Sequence, residues 1–152
     1  MGLEEDIKQG KHFENEYEKL IVNVMYTNSW LVERQAGIFK PNGLTVPQYN
    51  VLRILRGSYP EPCTINALIK RMFGRMSNVS RIVDRLESKY LVERRTCETD
   101  RRAKDVIITQ TGLRLLEEVD QNMYQWLQGF DTIKVDQVEK ANSVLNALRD
   151  CD

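Results

Sequence analysis

The feature that most constrains the fold is a pair of short helices separated by a tight turn in the middle of the chain. Thr64 is a suitable cap for a helix over residues 65–72. A turn over residues 73–76 follows, and Ser77 can cap a second helix that reaches about Tyr90. Two helices joined in this way within about 25 residues predict a helix-turn-helix.

The second of these helices has two unlike sides. At about 100° per residue its apolar side chains fall on one side and predict a buried stripe, which consists of Val79, Ile82, Val83, Leu86 and Tyr90. The polar side predicts a surface that contacts DNA and holds Ser77, Asn78, Ser80, Arg81, Asp84, Arg85 and Ser88. An α-helix fits the major groove, where arginine pairs with guanine and asparagine with adenine. The alternative is an ordinary amphipathic helix with a solvated face.

The next segment predicts a β-hairpin with a cationic tip. Strand-like runs, Leu91–Arg95 and Asp105–Thr109, flank a polar turn over Thr96–Lys104. The candidate DNA contacts of this hairpin are Arg94, Arg95, Asp100, Arg101, Arg102 and Lys104. A guanidinium at the tip can enter the minor groove, oriented by Asp100, while Arg94 and Arg95 can reach phosphates. A solvated turn is the alternative, but a polar helix and a cationic hairpin in adjacent sequence favour DNA binding together.

The charge distribution supports this interpretation. The formal net charge is zero, yet residues 70–105 hold eleven Lys/Arg and six Asp/Glu, a balance of +5. The rest of the chain therefore has a balance of −5. Such asymmetry predicts a local electropositive surface on an acidic body.

Other features argue against several classes of protein. The three cysteines, Cys63, Cys97 and Cys151, are odd in number and widely spaced, which predicts reduced thiols. The single histidine, His12, argues against a histidine-based metal site or catalytic triad. No apolar run approaches the roughly 20 residues of a membrane span, and the polar start does not resemble a signal peptide. We therefore expect a cytoplasmic protein that has no cofactor or metal and is not an enzyme.

Amphipathic helices flank the central block. A first helix is predicted over Leu3–Glu33, and a second begins at Thr45, which forms a capping box with Gln48. Helical periodicity resumes past Gly112 and continues, with a break at Gly129, to the end of the chain. The predicted fold class is mainly α with a small β-hairpin wing. We expect a winged helix-turn-helix lobe over residues 44–112 and a helical dimerisation region over residues 1–36 and 113–152.

Four stretches of the sequence resemble the MarR (multiple antibiotic resistance regulator) family. They are Leu44–Leu52, Ser77–Leu86, Lys89–Arg94 and the run from Asp100 through Val106 to Gly112. The last combines Asp, Arg and a small residue with a strand, Thr and Gly. The match is close over about residues 44–113. One departure is Tyr90, where the family often has glycine before the first wing strand.

This resemblance implies a homodimeric winged-helix repressor or activator that binds a pseudo-palindromic operator in double-stranded DNA. It implies that the first and last helices form the dimer, that Ser77–Arg85 is the recognition helix, and that Asp100 supports the wing arginine Arg102. It also implies a small phenolic or lipophilic effector. Aromatic residues that can line a crevice for it are Tyr17, Tyr26, Trp30 and Tyr49, with simple core packing as the alternative.

Three further interpretations remain open. Redox sensing in some relatives uses a cysteine of the first helix, which this chain lacks, so Cys97 is the substitute candidate, with a structural or incidental role as the alternative. Winged helices also serve as protein-interaction modules without specific DNA binding. Some methyltransferases carry a winged-helix dimerisation domain, but this sequence lacks a glycine-rich cofactor loop.

Overall fold

The computed structural model describes residues 2–72, 78–96 and 104–151. Its helices are α1 (Leu3–Asp6), α2 (Glu16–Phe39), α3 (Val46–Ser58), α4 (Ile65–Arg71), α5 (Val79–Glu87), α6 (Gln110–Gln128) and α7 (Val135–Arg149). Its strands are β1 (Cys63–Thr64), β2 (Val92–Thr96) and β3 (Lys104–Ile108), and a 3₁₀ turn covers Lys40–Asn42. The predicted class, mainly helical with a small wing sheet, is confirmed.

The chain divides into two compact units, Met1–Leu116 and Glu117–Asp152. In the first unit α3 packs against α5 and β3, and α2 packs against α3. Its fully buried large side chains come from α2 to α6 and are Phe39, Val51, Leu52, Leu55, Leu68, Val79, Val83, Leu86, Val106, Ile108 and Leu116. This core fixes the place of α5, the predicted recognition helix. In the second unit, Trp126 and Phe130 make an edge-to-face contact with centroids 5.1 Å apart.

The single first helix predicted over Leu3–Glu33 is wrong. The structure has two helices, α1 and α2, separated by residues 7–15, because Asn15 starts a new helix by accepting a hydrogen bond from the Glu18 backbone N–H. Helix α2 then continues through Gly37 to Phe39. Glycine is unfavourable inside a helix by only about 1 kcal/mol, so it does not end this one.

The capping signals of α3 and α4 are confirmed. Thr45 and Gln48 form the capping box, and the Thr64 hydroxyl accepts a hydrogen bond from the Ala67 backbone N–H. In α4, Leu68 is buried and the neighbouring Ile69 is exposed. The predicted turn over residues 73–76 and the cap at Ser77 lie outside the described residues; Asn78 occupies the N-cap position of α5.

The sheet is antiparallel with the order β1-β3-β2, and β2 pairs with β3 from Val92↔Ile108 to Thr96↔Lys104. Both predicted strands exist, each shifted by one residue. The third strand, β1, has only two residues, and its pairing with β3 was not predicted. Thr109 lies after β3, where its hydroxyl accepts from the Gly112 backbone N–H at the start of α6.

Tyr90, predicted to complete the buried stripe of α5, is 79% exposed. Helix α5 ends at Glu87, and Tyr90 adopts a left-handed conformation with φ of 59° that turns the chain into β2. This left-handed conformation favours glycine, the residue that the resemblance led us to expect at this position. The Tyr90 carbonyl oxygen accepts a hydrogen bond from the Thr109 hydroxyl at 2.8 Å, which ties the turn to the end of β3.

Candidate nucleic-acid interface

Helix α5 has three faces. The first is the predicted core stripe, because Val79, Ile82, Val83 and Leu86 are all buried. The second, defined by Ser80, Asp84 and Glu87, lies next to β2 and contacts Arg94. The third consists of Asn78, Arg81, Arg85 and Ser88, spaced three or four residues apart and exposed. We call this third set the outer face.

Arg94 of β2 connects the strand to the second face of α5. Its guanidinium donates to a Glu87 carboxylate oxygen at 2.9 Å, to an Asp84 carboxylate oxygen, and to the Ser80 carbonyl oxygen at 3.3 Å. Its backbone N–H donates to the other Glu87 carboxylate oxygen at 3.2 Å. A single strand residue therefore holds two turns of the helix, and we call this set of contacts the Arg94 clamp.

The clamp has an electrostatic consequence for α5. Burial lowers the pKa of the Arg94 guanidinium, but hydrogen bonding and charge attraction from Asp84 and Glu87 outweigh it, so the pKa lies above its usual value. Asp84 and Glu87 are the two acidic residues of α5. Because Arg94 pairs with both, the outer face presents Arg81 and Arg85 without competing carboxylates. Within the described ranges, neither arginine forms an ion pair.

The other predicted wing residues divide between described and undescribed positions. Arg95 is exposed and pairs with Glu93 at 3.1 Å, and Lys104 is exposed opposite Thr96 at the end of the β2–β3 ladder. Asp100, Arg101 and Arg102 lie outside the described residues, as do Ser77 and Cys97. The minor-groove contacts expected from the tip of the wing therefore stay a prediction.

The four aromatic residues predicted for a ligand crevice do not share one surface. Tyr49 is a core residue, 6% exposed and stacked on Phe39 with centroids 4.1 Å apart. Tyr17 is 82% exposed and lies nine residues from Tyr26, about two and a half helical turns, so the two point to opposite sides of α2. Tyr26 and Trp30 share a face, and Arg34 packs over the Trp30 ring at 5.5 Å.

Sequence reasoning missed the role of Glu87 and assigned Arg94 and Asp84 only as DNA contacts. A signal was present, since residues 80, 84 and 87 are spaced to share a helix face. Which strand residue would lie against that face depends on how the chain folds back after Tyr90, and periodicity does not contain that information.

Neither a membrane span nor a metal cluster is found in the described part of the chain. Within residues 2–72, 78–96 and 104–151, no helix is long and apolar enough to cross a membrane. The same ranges contain no group of three or more His, Cys, Asp or Glu side chains that could hold a metal ion.

Comparison with known proteins finds relatives that align with most of this chain. Residues 42–103 match the model of the MarR family. Over 139 residues the chain is 24% identical to the transcriptional repressor MprA of Escherichia coli (strain K12), in an alignment that covers 88% of this chain and 79% of that protein.

Two solved structures show the same fold. A mutant MarR from E. coli, complexed with operator DNA, matches with a TM-score of 0.79 and 24% identity, covering 91% of this chain and 99% of that one. Bordetella bronchiseptica BpsR, whose DNA binding is regulated by 6-hydroxynicotinic acid, matches with a TM-score of 0.65 and 22% identity, covering 84% and 98%. Both alignments cover more than four-fifths of this chain, so the fold is shared over most of its length.

Proposed function

We propose that this chain, whose residues 42–103 match the MarR family model, is a sequence-specific transcriptional repressor that binds double-stranded DNA as a homodimer. Helix α5 enters the major groove, where Arg81 and Asn78 contact base edges. Arg85, Ser80 and the strand residues Arg95 and Lys104 contact the backbone. Arg102, oriented by Asp100, enters the adjoining minor groove.

The observation that carries this proposal is the outer face of α5. Its two arginines, Arg81 and Arg85, are exposed and have no carboxylate partner among the described residues, while both acids of the helix are held by Arg94. The related E. coli mutant MarR forms a complex with operator DNA. In this scheme Arg94 and Asp84 act by holding α5 and the wing in fixed relation.

Homodimer formation is supported by α7. This helix is 15 residues long, yet none of its residues is buried within the chain, although Val135, Val138 and Val144 are apolar. An isolated helix of this length is only marginally stable in water, so its apolar residues need a partner. A second copy of the chain supplies one, and a two-fold dimer presents two α5 helices to half-sites about 34 Å apart.

Selection of bound sequences from a random DNA pool tests the proposal. We expect enrichment of an inverted repeat whose half-site centres are about one helical turn apart. In quantitative gel shifts Arg81→Ala should weaken operator binding by about 1–3 kcal/mol and relax specificity at one base pair per half-site. The matched control, Arg53→Ala, removes an exposed arginine of α3 that lies outside the outer face and the wing, and it should bind normally.

The opposite results are equally clear. If no sequence is enriched and random duplex does not bind at low salt, the chain is a winged-helix protein-interaction module. If sequences are enriched but Arg81→Ala keeps both affinity and specificity, α5 is not the element that reads them.

We also propose that a small phenolic or lipophilic molecule modulates DNA binding, as 6-hydroxynicotinic acid does for BpsR. The shared face of Tyr26 and Trp30 on α2 is the described aromatic surface available for it. The chain has two tryptophans, so Trp126→Phe isolates the fluorescence of Trp30. Titration with aromatic hydroxyacids should quench that signal and release DNA. Release without quenching would place the effector elsewhere.

A further inference from the structure

A groove of basic character lies where the start of α3 meets the end of α5. Its charged and hydroxyl-bearing lining residues are Lys40, Thr45, Arg85, Ser88 and Lys89. We call this set the basic groove. Lys40 opens the 3₁₀ turn before α3, and Lys89 follows the C-terminal end of α5. The two lysines are far apart in sequence and converge only in the fold.

The three cations of the basic groove have no carboxylate among the residues that line it. The Lys89 ammonium donates to the carbonyl oxygen of Gly43, which is a neutral acceptor and leaves the positive charge uncompensated. Lys40 and Arg85 are exposed and form no ion pair within the described parts of the chain. Three like charges that converge in this way create a local positive potential that favours an anion.

Uncharged groups of the basic groove also favour the binding of an anion. Helix α3 begins there, and the 13 residues of this helix direct the positive end of its dipole toward the groove. The hydroxyl groups of Thr45 and Ser88 are at the same surface. The Ser88 hydroxyl donates to the Arg85 carbonyl oxygen, whereas the Thr45 hydroxyl accepts from the Gln48 backbone N–H and can still donate to a phosphate oxygen.

The basic groove continues the outer face of α5. Arg85 and Ser88 belong to both, and the rise of 1.5 Å per residue puts Arg81 and Lys89 about 12 Å apart along the helix direction. This is about the width of the major groove. A helix whose N-terminal half contacts base edges therefore brings its C-terminal end to the sugar-phosphate backbone that borders the groove.

We propose that the basic groove binds a backbone phosphate of DNA through Lys40 and Lys89, at the edge of the major groove occupied by α5. This inference rests on the proposed function and adds a contact outside the recognition helix and the wing. Phosphate contacts fix the register of a protein on the duplex but do not distinguish sequences. The groove thus sets how far α5 lies along the major groove.

The test uses the full chain and the salt dependence of binding to the selected operator and to a random duplex. For Lys40→Gln we expect the magnitude of the slope of log K against log salt concentration to fall by about 0.9 for each phosphate contact that is lost. One contact is lost in each bound subunit. Binding to both duplexes should weaken by the same factor, which leaves the specificity ratio unchanged. Lys40→Arg should retain the slope, and the control Lys11→Gln, another exposed lysine, should match the wild type.

A loss of DNA binding by Lys40→Gln would not be due to unfolding of the variant. Lys40→Gln removes no hydrogen bond or ion pair made by a described side chain, so its melting temperature should equal that of the wild type. Lys89→Gln breaks the bond to the Gly43 carbonyl, and it serves as a second variant if it melts normally.

Failure of this inference differs from failure of the proposed function. An unchanged slope for Lys40→Gln, with operator binding intact in the wild type, would overturn the phosphate site alone. A changed specificity ratio at an unchanged slope would also overturn it, because the groove would then contact bases. Absence of salt-dependent DNA binding in the wild type would overturn the proposed function itself.

Discussion

Tyr90 occupies a backbone conformation that is unfavourable for its residue type. Its φ is 59°, and the left-handed region costs an L-residue roughly 1–2 kcal/mol. The side chain is mostly exposed and therefore contributes little packing. The turn is held by hydrogen bonds on both sides of this residue: the Tyr90 carbonyl oxygen accepts from the Thr109 hydroxyl, and the Leu91 backbone N–H donates to the Leu86 carbonyl oxygen.

We therefore expect Tyr90→Gly to raise the free energy of unfolding by about 0.5–1 kcal/mol, since relief of strain exceeds the added flexibility of the unfolded chain. Tyr90→Ala keeps the left-handed penalty and is the control, with a change near zero. Urea denaturation of the three proteins measures the difference. Equal stability of the Gly and Ala variants would show that this backbone stores no strain.

Gly112 is required for a different reason, which is space. A Cβ atom at this position would lie 2.3 Å from the Leu91 carbonyl oxygen and 2.7 Å from a side-chain carbon of Ile108. The backbone of α6 can approach the turn before β2 this closely only without a side chain. The family pattern of Thr followed by Gly thus has a steric cause in this fold.

Gly112→Ala should therefore destabilise the protein by about 1–3 kcal/mol, because the clash involves backbone and forces a shift of α6. Gly37→Ala is the matched control. It lies inside α2 with nothing within 4 Å of the added Cβ, so it should gain up to about 1 kcal/mol. Thermal unfolding should separate the two variants in opposite directions, and a loss of stability only at Gly37 would contradict this account.

At the scale of elements, local signals explain what the sequence predicts well. The helices α3 and α4 are recognisable because each cap acts within three residues of its own helix end. The core stripe of α5 follows from periodicity alone. The strand β1 is not recognisable, since its two residues are defined only by pairing with β3 about 40 positions later. The same limit applies to the basic groove, whose lysines meet through tertiary packing.

The Arg94 clamp is the element-scale contact that links α5 to the wing. Arg94→Gln should lower the free energy of unfolding by about 1–2 kcal/mol, because the partly exposed charge-assisted hydrogen bonds to Asp84 and Glu87 are removed. It should also weaken DNA binding, since α5 would then expose two uncompensated carboxylates. Arg95→Gln removes an exposed pair with Glu93 and is the control, with a stability change below about 0.5 kcal/mol.

A triple variant separates positioning from direct contact. Adding Asp84→Asn and Glu87→Gln to Arg94→Gln removes the exposed negative charges, and DNA affinity should recover most of its loss if Arg94 acts through α5. If affinity stays as low as in the single variant, Arg94 itself contacts phosphate, as the strand position alone predicts. Gel-shift titrations at one fixed salt concentration distinguish the two results.

At the scale of the whole molecule, the domain boundaries at residues 36, 44 and 112 remain a prediction. The contact pattern instead divides the chain after Leu116, within α6. Helix α6 therefore contributes residues to both units, and it belongs in part to the predicted DNA-binding lobe and in part to the proposed dimerisation region. Ligand binding near α2 can change DNA binding by favouring one of two dimer geometries.

Helix α7 offers the sharpest test of the proposed dimer. Val138 is exposed on this helix, in which no residue is buried by the chain's own folding. Val138→Glu would place a charge in the proposed subunit contact, where burial without a partner is costly.

Sedimentation should show the wild type at twice 17.8 kDa and the variant at 17.8 kDa. The control Ser143→Glu adds the same charge on the polar side of α7 and should remain dimeric. Because a monomer engages only one half-site, the variant should lose operator affinity by orders of magnitude. A variant that remains dimeric and binds normally would show that α7 lies outside the subunit contact.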